Sequence, residues 1–184
     1  GIQSFHDRTL RLVGRRHTAR EAIDAVHRLQ QAGITNISID LIYGLPGETL
    51  DDWAYSLDQA IALGVKHISA YHLTYEEGTR LWLMKEQGKV TPIDEEQSIK
   101  AFELLRTRLL AAGYEHYEIS NFCLPNLHSR HNSSYWTGKK YLGCGPSAHS
   151  FNGISRQWNV ASLGKYIQAI QQGKLDYEIE ELDI

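Results

Sequence analysis

The sequence predicts an α/β protein organised as parallel βαβ units, and three observations carry this. Residues 36–43, N-I-S-I-D-L-I-Y, form a near-continuous apolar run with β-branched side chains, as in a strand covered on both faces of a parallel sheet. Capped helical stretches at about 18–32 and 50–63 alternate with that strand and with a second one running from His67 to about Tyr75. The connections between them are short, and strand–helix–strand units of this kind make parallel neighbours joined by right-handed crossovers. Periodicity leaves two arrangements open: an open doubly wound sheet and part of a (β/α) barrel.

Gly1-Ile2-Gln3-Ser4-Phe5 reads as a short strand already in progress, with no initiator Met and no lead-in, so the chain is expected to be a truncated or excised piece. The helix at 18–32 opens on a capping box of Thr18 with Glu21. It repeats Ala19, Ala22, Ile23, Val26 and Leu29 at helical spacing and stops at Gly33. The helix at 50–63 is capped by Thr49, helped by Asp52 at its positive end, lined by Trp53, Leu57 and Ile61, and closed by Gly64. Beyond the strand from His67 the pattern changes. A helix near 79–87 precedes Thr91-Pro92-Ile93. A long helix at about 95–112 starts at Asp94, with Gln97 at its third position, and presents Ile99, Phe102, Leu105 and Leu109 as its buried stripe up to Gly113. A strand is expected at 114–122, then an irregular stretch over 123–161, a helix at about 162–172 ended by Gly173, and a short acidic tail. The change of pattern places a boundary near 76–92, dividing the chain into 1–78 and 79–184.

Composition narrows the function classes. The 184 residues are 42% hydrophobic and 22% charged, the balance of a globular protein able to bury a core without disulfides. A net charge of −3, with basic pairs no longer than Arg15-Arg16 and Lys139-Lys140, gives nucleic-acid binding no electrostatic support. No apolar run approaches the ~18–20 residues that span a bilayer, and no signal-peptide pattern opens the chain. Two cysteines, Cys123 and Cys144, fit a reducing cytosol, so a cytoplasmic location is expected. They are too few to hold an iron–sulfur cluster, which takes three or four thiolates.

Asp40 interrupts an apolar strand, on the same face as Ser38 and Ile42. A carboxylate there requires a partner. One reading is a structural ion pair with Arg15 or Arg16. The other is a ligand contact, because Tyr43-Gly44-Leu45-Pro46-Gly47 directly after the strand is a strand-end loop of the kind that faces binding sites in parallel sheets. Residues 123–151 concentrate Cys123, His128, His131, Tyr135, Trp136, Tyr141, Cys144, His149 and Phe151. Cys123, His128, His131 and Cys144 are zinc-ligand types, but their C-x4-H-x2-H-x12-C spacing lacks paired short spacings at both ends. A histidine beside large aromatics suits an axial heme ligand better, since heme iron takes imidazole and the macrocycle needs flat apolar walls.

Several segments together resemble one family. G-I-Q-S-F at 1–5, L-V-G-R at 12–15, N-I-S-I-D-L-I-Y-G-L-P-G-E-T at 36–49, Y-E-I-S-N-F at 117–122, H-N-S-S-Y-W at 131–136 and Y-L-G-C-G-P-S-A-H-S-F at 141–151 look like the oxygen-independent coproporphyrinogen III oxidase-like proteins. These are radical S-adenosylmethionine (SAM) proteins. The H-N-x-x-Y-W box is similar to their heme-chaperone branch (HemW). The resemblance implies the C-terminal part of an incomplete (β/α)6 barrel with an added α+β C-terminal region. It also implies that the C-x3-C-x2-C motif for the [4Fe–4S] cluster lies upstream of Gly1, so that this chain alone is inactive toward SAM. By the same resemblance Gln3, Arg15 and Asp40 match positions that contact SAM. His131 becomes the heme-iron ligand, with Asn132, Tyr135 and Trp136 around the ring. Cys123 departs from relatives that often carry Ala there.

Three functions follow for testing. The first is a heme chaperone that binds heme and hands it to acceptor proteins. The second is a coproporphyrinogen III dehydrogenase that decarboxylates propionates by SAM-radical chemistry. The third is a zinc-stapled module. A barrel fragment also exposes a sheet edge, and self-association through that edge is expected.

Overall fold

A computed structural model describes residues 1–183, which form two compact units divided after His128. The first unit runs α1 (Asp7–Leu12), α2 (Ala19–Gln31), β1 (Ser38–Tyr43), α3 (Leu50–Ala62), β2 (His67–His72), α4 (Arg80–Glu86), α5 (Glu95–Ala111), β3 (Glu115–His116) and β4 (Asn121–Cys123). Its sheet has the order β1-β2-β4-β3. β1 and β2 are parallel, with Ser38 opposite His67 and Tyr43 opposite His72, and α3 is the crossover between them. The segment at Gln3 adds a parallel bridge to Leu41 on the outer side of β1.

The helix starts follow the cap chemistry. Thr18 accepts from the Glu21 N–H while Glu21 accepts back from Thr18, and Thr49 with Asp52 repeats the arrangement. Asp94 accepts from the Gln97 N–H at 2.8 Å and starts α5. Trp53 on α3 is buried and donates its indole N–H to the Ala101 carbonyl of α5 at 3.0 Å, which locks the two helices together. Leu41, Ile68, Leu57, Leu105, Leu109 and Phe122 complete the core.

Several expectations are corrected. The strand at 36–43 is covered on one face only: Ile39, Leu41 and Tyr43 are buried, while Ser38 is exposed and Asp40 and Ile42 are partly so. The core forms on the Ile39–Leu41 face alone, so a run that reads as nearly all apolar behaves as an alternating strand. Ile99, assigned to the buried stripe of α5, is 52% exposed, and Ala101 is buried in its place beside Leu105 and Leu109. The strand expected at 114–122 is two short antiparallel strands, with Glu115 opposite Cys123 and His116 opposite Phe122. Local side-chain bonds turn the chain back between them: Glu118 accepts from the Ser120 N–H at 2.9 Å, and His116 Nε2 lies 3.2 Å from the Ile119 carbonyl. β4 then pairs antiparallel with β2, so the sheet is mixed rather than wholly parallel.

The second unit contains α6 (Arg130–Trp136), β5 (His149–Phe151), β6 (Ser155–Asn159), α7 (Leu163–Gln171) and β7 (Tyr177–Glu181), with an antiparallel sheet in the order β5-β6-β7. The stretch expected to be irregular thus holds a helix and a hairpin, and the acidic tail is a strand. Asn152 builds the hairpin turn by accepting from the Ile154 and Ser155 N–H groups at 2.9 and 2.8 Å. Among the described residues no helix is long and apolar enough to cross a membrane.

Candidate functional site

In the first unit Gln3 and Asp40 come together at the outer edge of β1. The Gln3 N–H donates to the Asp40 carbonyl at 2.7 Å and the Gln3 carbonyl accepts from the Ile42 N–H at 2.9 Å, so the two side chains are set by neighbouring backbone. Gln3 Nε2 and Asp40 Oδ2 lie 2.7 and 3.9 Å from the point where a Cβ on Gly1 would stand, so amide and carboxylate both border Gly1. Gln3 is buried and adopts φ 72°, a left-handed conformation that a residue with a Cβ holds only when its surroundings impose it. Among the described residues the Asp40 carboxylate makes no ion pair with Arg15 or Arg16. Asp40 is 43% exposed, and Arg15 is exposed on the loop after α1. An amide donor beside an accessible carboxylate acceptor fits a ligand that carries hydroxyls, an ammonium and a carboxylate, as SAM does.

Glu48, within G-L-P-G-E-T, is a site residue that no sequence pattern marks. Its Oε1 is sealed from solvent without a hydrogen-bond partner. Burial pushes the carboxyl up to about 8, against the pull of the Leu45 and Gly44 backbone N–H groups. It lines a cavity of about 390 Å³ with Gly44, Trp53, Ile93, Gln97 and Lys100. Nothing local in the sequence marks it, because its burial depends on α5 closing over the loop.

A second cluster gathers around β4 and joins Cys123 and His128 to residues the sequence did not single out. His67 is buried, with Nδ1 2.8 Å from Ser38 Oγ and Nε2 2.8 Å from the Tyr117 hydroxyl. Burial holds its pKa below the usual imidazole range, against the opposing pull of the Asp40 and Glu118 carboxylates. The Tyr117 ring stacks on His128 with centroids 4.6 Å apart. Glu115, buried Cys123 and His128 each place a ligand atom within 4.8 Å of the others. Of the four zinc-ligand types noted in the sequence, Cys123 and His128 share this place, while His131 and Cys144 belong to the second unit.

In the second unit the H-N-S-S-Y-W box is α6, capped by Ser129, whose hydroxyl accepts from the Asn132 N–H. Asn132 is partly buried, and this bond uses its backbone N–H. One helical turn brings the Tyr135 hydroxyl 3.1 Å from His131 Nε2, with the two rings edge to face at 5.1 Å. Tyr135 in turn meets Tyr141 edge to face at 5.1 Å, and Tyr141 pairs with Phe151 across a bridge. His131 is exposed, and Tyr135, Trp136 and Leu142 are 51%, 60% and 78% exposed. Among the described residues the exposed His131 imidazole meets the Tyr135 hydroxyl, and an accessible imidazole beside exposed aromatic rings fits a heme.

The G-C-G-P loop, residues 143–146, is held through its backbone. Asn159 donates to the Gly145 carbonyl at 2.9 Å, the Gly143 N–H donates to Ser150 Oγ at 2.9 Å, and the Gly145 N–H donates to the Tyr166 hydroxyl at 3.2 Å. An iron–sulfur cluster does not fit this chain, since its two cysteines are one buried and one exposed and belong to different units.

Comparison with known proteins gives the family and the fold. The Radical SAM superfamily model matches residues 1–60. The heme chaperone HemW of Mycobacterium tuberculosis is 39% identical over 170 residues, covering 92% of this chain and 44% of that protein. Its Bacillus subtilis counterpart is 34% identical over 177 residues, covering 96% and 47%. A Bos taurus protein named Radical S-adenosyl methionine domain-containing protein 1, mitochondrial, is 36% identical over 149 residues, covering 81% and 34%. The chain therefore spans less than half the length of these relatives. Among solved structures, Escherichia coli coproporphyrinogen III oxidase (HemN) superposes with a TM-score of 0.76 at 23% identity, over 98% of this chain and 44% of that one, which shows a shared fold. The sequence motifs, the partial barrel fold and the extent of identity to HemW proteins together place this chain in the oxygen-independent coproporphyrinogen III oxidase-like radical SAM family, among the homologues of its heme-chaperone branch.

Proposed function

We propose that this chain is the heme-holding and SAM-contacting part of a heme chaperone, a protein that binds heme and passes it to acceptor proteins. The observation that carries the reading is the solvent-open ladder of His131, Tyr135 and Tyr141, with Trp136 beside it on α6. In this reading His131 ligates the heme iron through Nε2, and the Tyr135 hydroxyl that meets this nitrogen gives way as the iron arrives. Tyr135 and Trp136 cover the macrocycle with Asn132 beside it, and the Ser129 cap on the Asn132 backbone N–H holds the start of α6. Weak apolar coverage on an open surface suits cargo that must leave again. The H-N-x-x-Y-W box favours this reading over coproporphyrinogen decarboxylation, which turnover of coproporphyrinogen by the complete, reconstituted protein would reinstate.

In the first unit, Asp40 accepts from SAM hydroxyls or its ammonium, and Gln3 and Arg15 face its carboxylate. The family implies SAM and a [4Fe–4S] cluster as cofactors of the complete protein; together they supply radical chemistry when bound. Residues 1–78 belong to the late barrel in this reading, residues 79–184 to the C-terminal region, and the working compartment is the cytoplasm.

The test is a hemin titration followed by absorbance on this chain, His131→Ala and Tyr135→Phe. Saturable binding with a Soret shift is expected, weakened about tenfold or more in His131→Ala and changed in Tyr135→Phe. Equal binding by His131→Ala removes His131 from the role.

A further inference from the structure

We propose that the open end of the β3–β4 pair, away from its turn, is a zinc site, with Glu115, Cys123 and His128 as three protein ligands and a fourth position left for water or an outside ligand. It involves none of the heme candidates, and it differs from the Cys123, His128, His131 and Cys144 set suggested by spacing.

The strand register makes the site. Glu115 stands directly opposite Cys123 across the β3–β4 pair. The chain leaving Cys123 turns at once, with the Leu127 N–H donating to the Leu124 carbonyl at 3.1 Å, and this turn returns His128 to the same spot. His128 Nε2 then lies 2.9 Å from Glu115 Oε2, and one ligand atom from each of the three residues lies within 4.8 Å of the others. Ligand atoms around a tetrahedral zinc stand ~3.3–3.8 Å apart, so a side-chain adjustment of about 1 Å closes the set.

A bare Glu–His ion pair would not need a thiol beside it, nor a fixed imidazole. Here the His128 ring is stacked on Tyr117 with an interplanar angle of 12°. The Tyr117 hydroxyl is 2.8 Å from His67 Nε2, and the other nitrogen of His67 reaches Ser38 on β1. The imidazole plane is thus braced by stacking on Tyr117, which His67 and Ser38 hold in turn. Thiolate, imidazole and carboxylate together suit zinc rather than the hard cations, which take oxygen alone. Cys123 is buried, while Glu115 and His128 are 48% and 47% exposed, so an ion enters from solvent on their side and reaches the sulfur last. Three ligands and an accessible fourth position is the pattern of an open site, not of a closed structural one.

Cobalt(II) titration of the heme-free chain tests this, because a cobalt–thiolate bond adds a charge-transfer absorption that carboxylate or imidazole ligation does not. One equivalent of cobalt is expected to give that band, and zinc is expected to displace it. Cys123→Ala should abolish the band. Glu115→Gln and His128→Gln, both at exposed positions that leave the core intact, should weaken affinity about tenfold or more. Cys144→Ala and His131→Ala should leave it unchanged, which separates the outcome from any failure of the heme reading. Absence of the band, its survival in Cys123→Ala, or its loss in Cys144→Ala or His131→Ala overturns the site.

Discussion

At Glu48 the loss of solvent outweighs the two backbone N–H donors, and the carboxyl keeps its proton to about pH 8 in the fold against an ordinary value of 4.5. Below 4.5 both folded and unfolded states hold the proton. As pH rises toward 8 the unfolded chain releases it and the folded chain does not, so this group's contribution to stability falls through that window. His67 acts in the opposite sense: its folded pKa lies below the ordinary 6.5, so its contribution is present above 6.5 and is lost as pH falls. Glu48→Gln removes only the first trend, and its amide oxygen still accepts the loop N–H groups. The variant is expected to show a flatter decline in denaturant-measured stability from pH 5 to 8, and to exceed the parent at pH 8 by on the order of 2 kcal/mol. A variant with the parent's slope would show that Glu48 ionises in the fold.

Among the elements, the loop between Tyr141 and β5 depends on backbone closeness. A Cβ on Gly143 would drive into the His149 backbone, which is not a flexible side-chain end and cannot move aside. Gly143→Ala is expected to cost about 1–3 kcal/mol in thermal or denaturant melts. It should also weaken hemin binding, because the loop carries Tyr141 against Tyr135. Gly164 provides the contrast. It lies in α7 with no atom within 4 Å of its would-be Cβ, so Gly164→Ala should be neutral or stabilising by about 0.5–1 kcal/mol. Equal effects of the two substitutions would contradict the packing at Gly143.

At the scale of the molecule, the sheet of the first unit has edges that invite pairing. Outside β1 there is a single bridge, at Gln3, and the opposite edge is the two-residue strand β3. The Ser38–Asp40–Ile42 face of β1 is also incompletely covered. Self-association is expected, visible as a mass in light scattering that rises with concentration. A monomer at all concentrations would mean that the single bridge at Gln3 and the brevity of β3 suffice to block the edges.

Local patterns alone determined much of this protein. Thr18 with Glu21 and Thr49 with Asp52 placed two helix starts because a cap acts within four residues, and the alternation of capped helices with apolar runs marked the α/β class. The H-N-S-S-Y-W box is legible because His131 and Tyr135 are one helical turn apart, so their contact is local once the helix forms. What required the tertiary structure is what distant segments contribute. Whether one or both faces of β1 are covered depends on which helices pack on it, so the reading of both faces as buried did not hold. The split of 114–122 into two strands arises from side-chain bonds within a turn. Glu48 is neutral only because distant residues enclose it, and Glu115 joins Cys123 and His128 only through strand register. Burial and cross-strand neighbours belong to the folded chain, and no residue carries them in its own spacing.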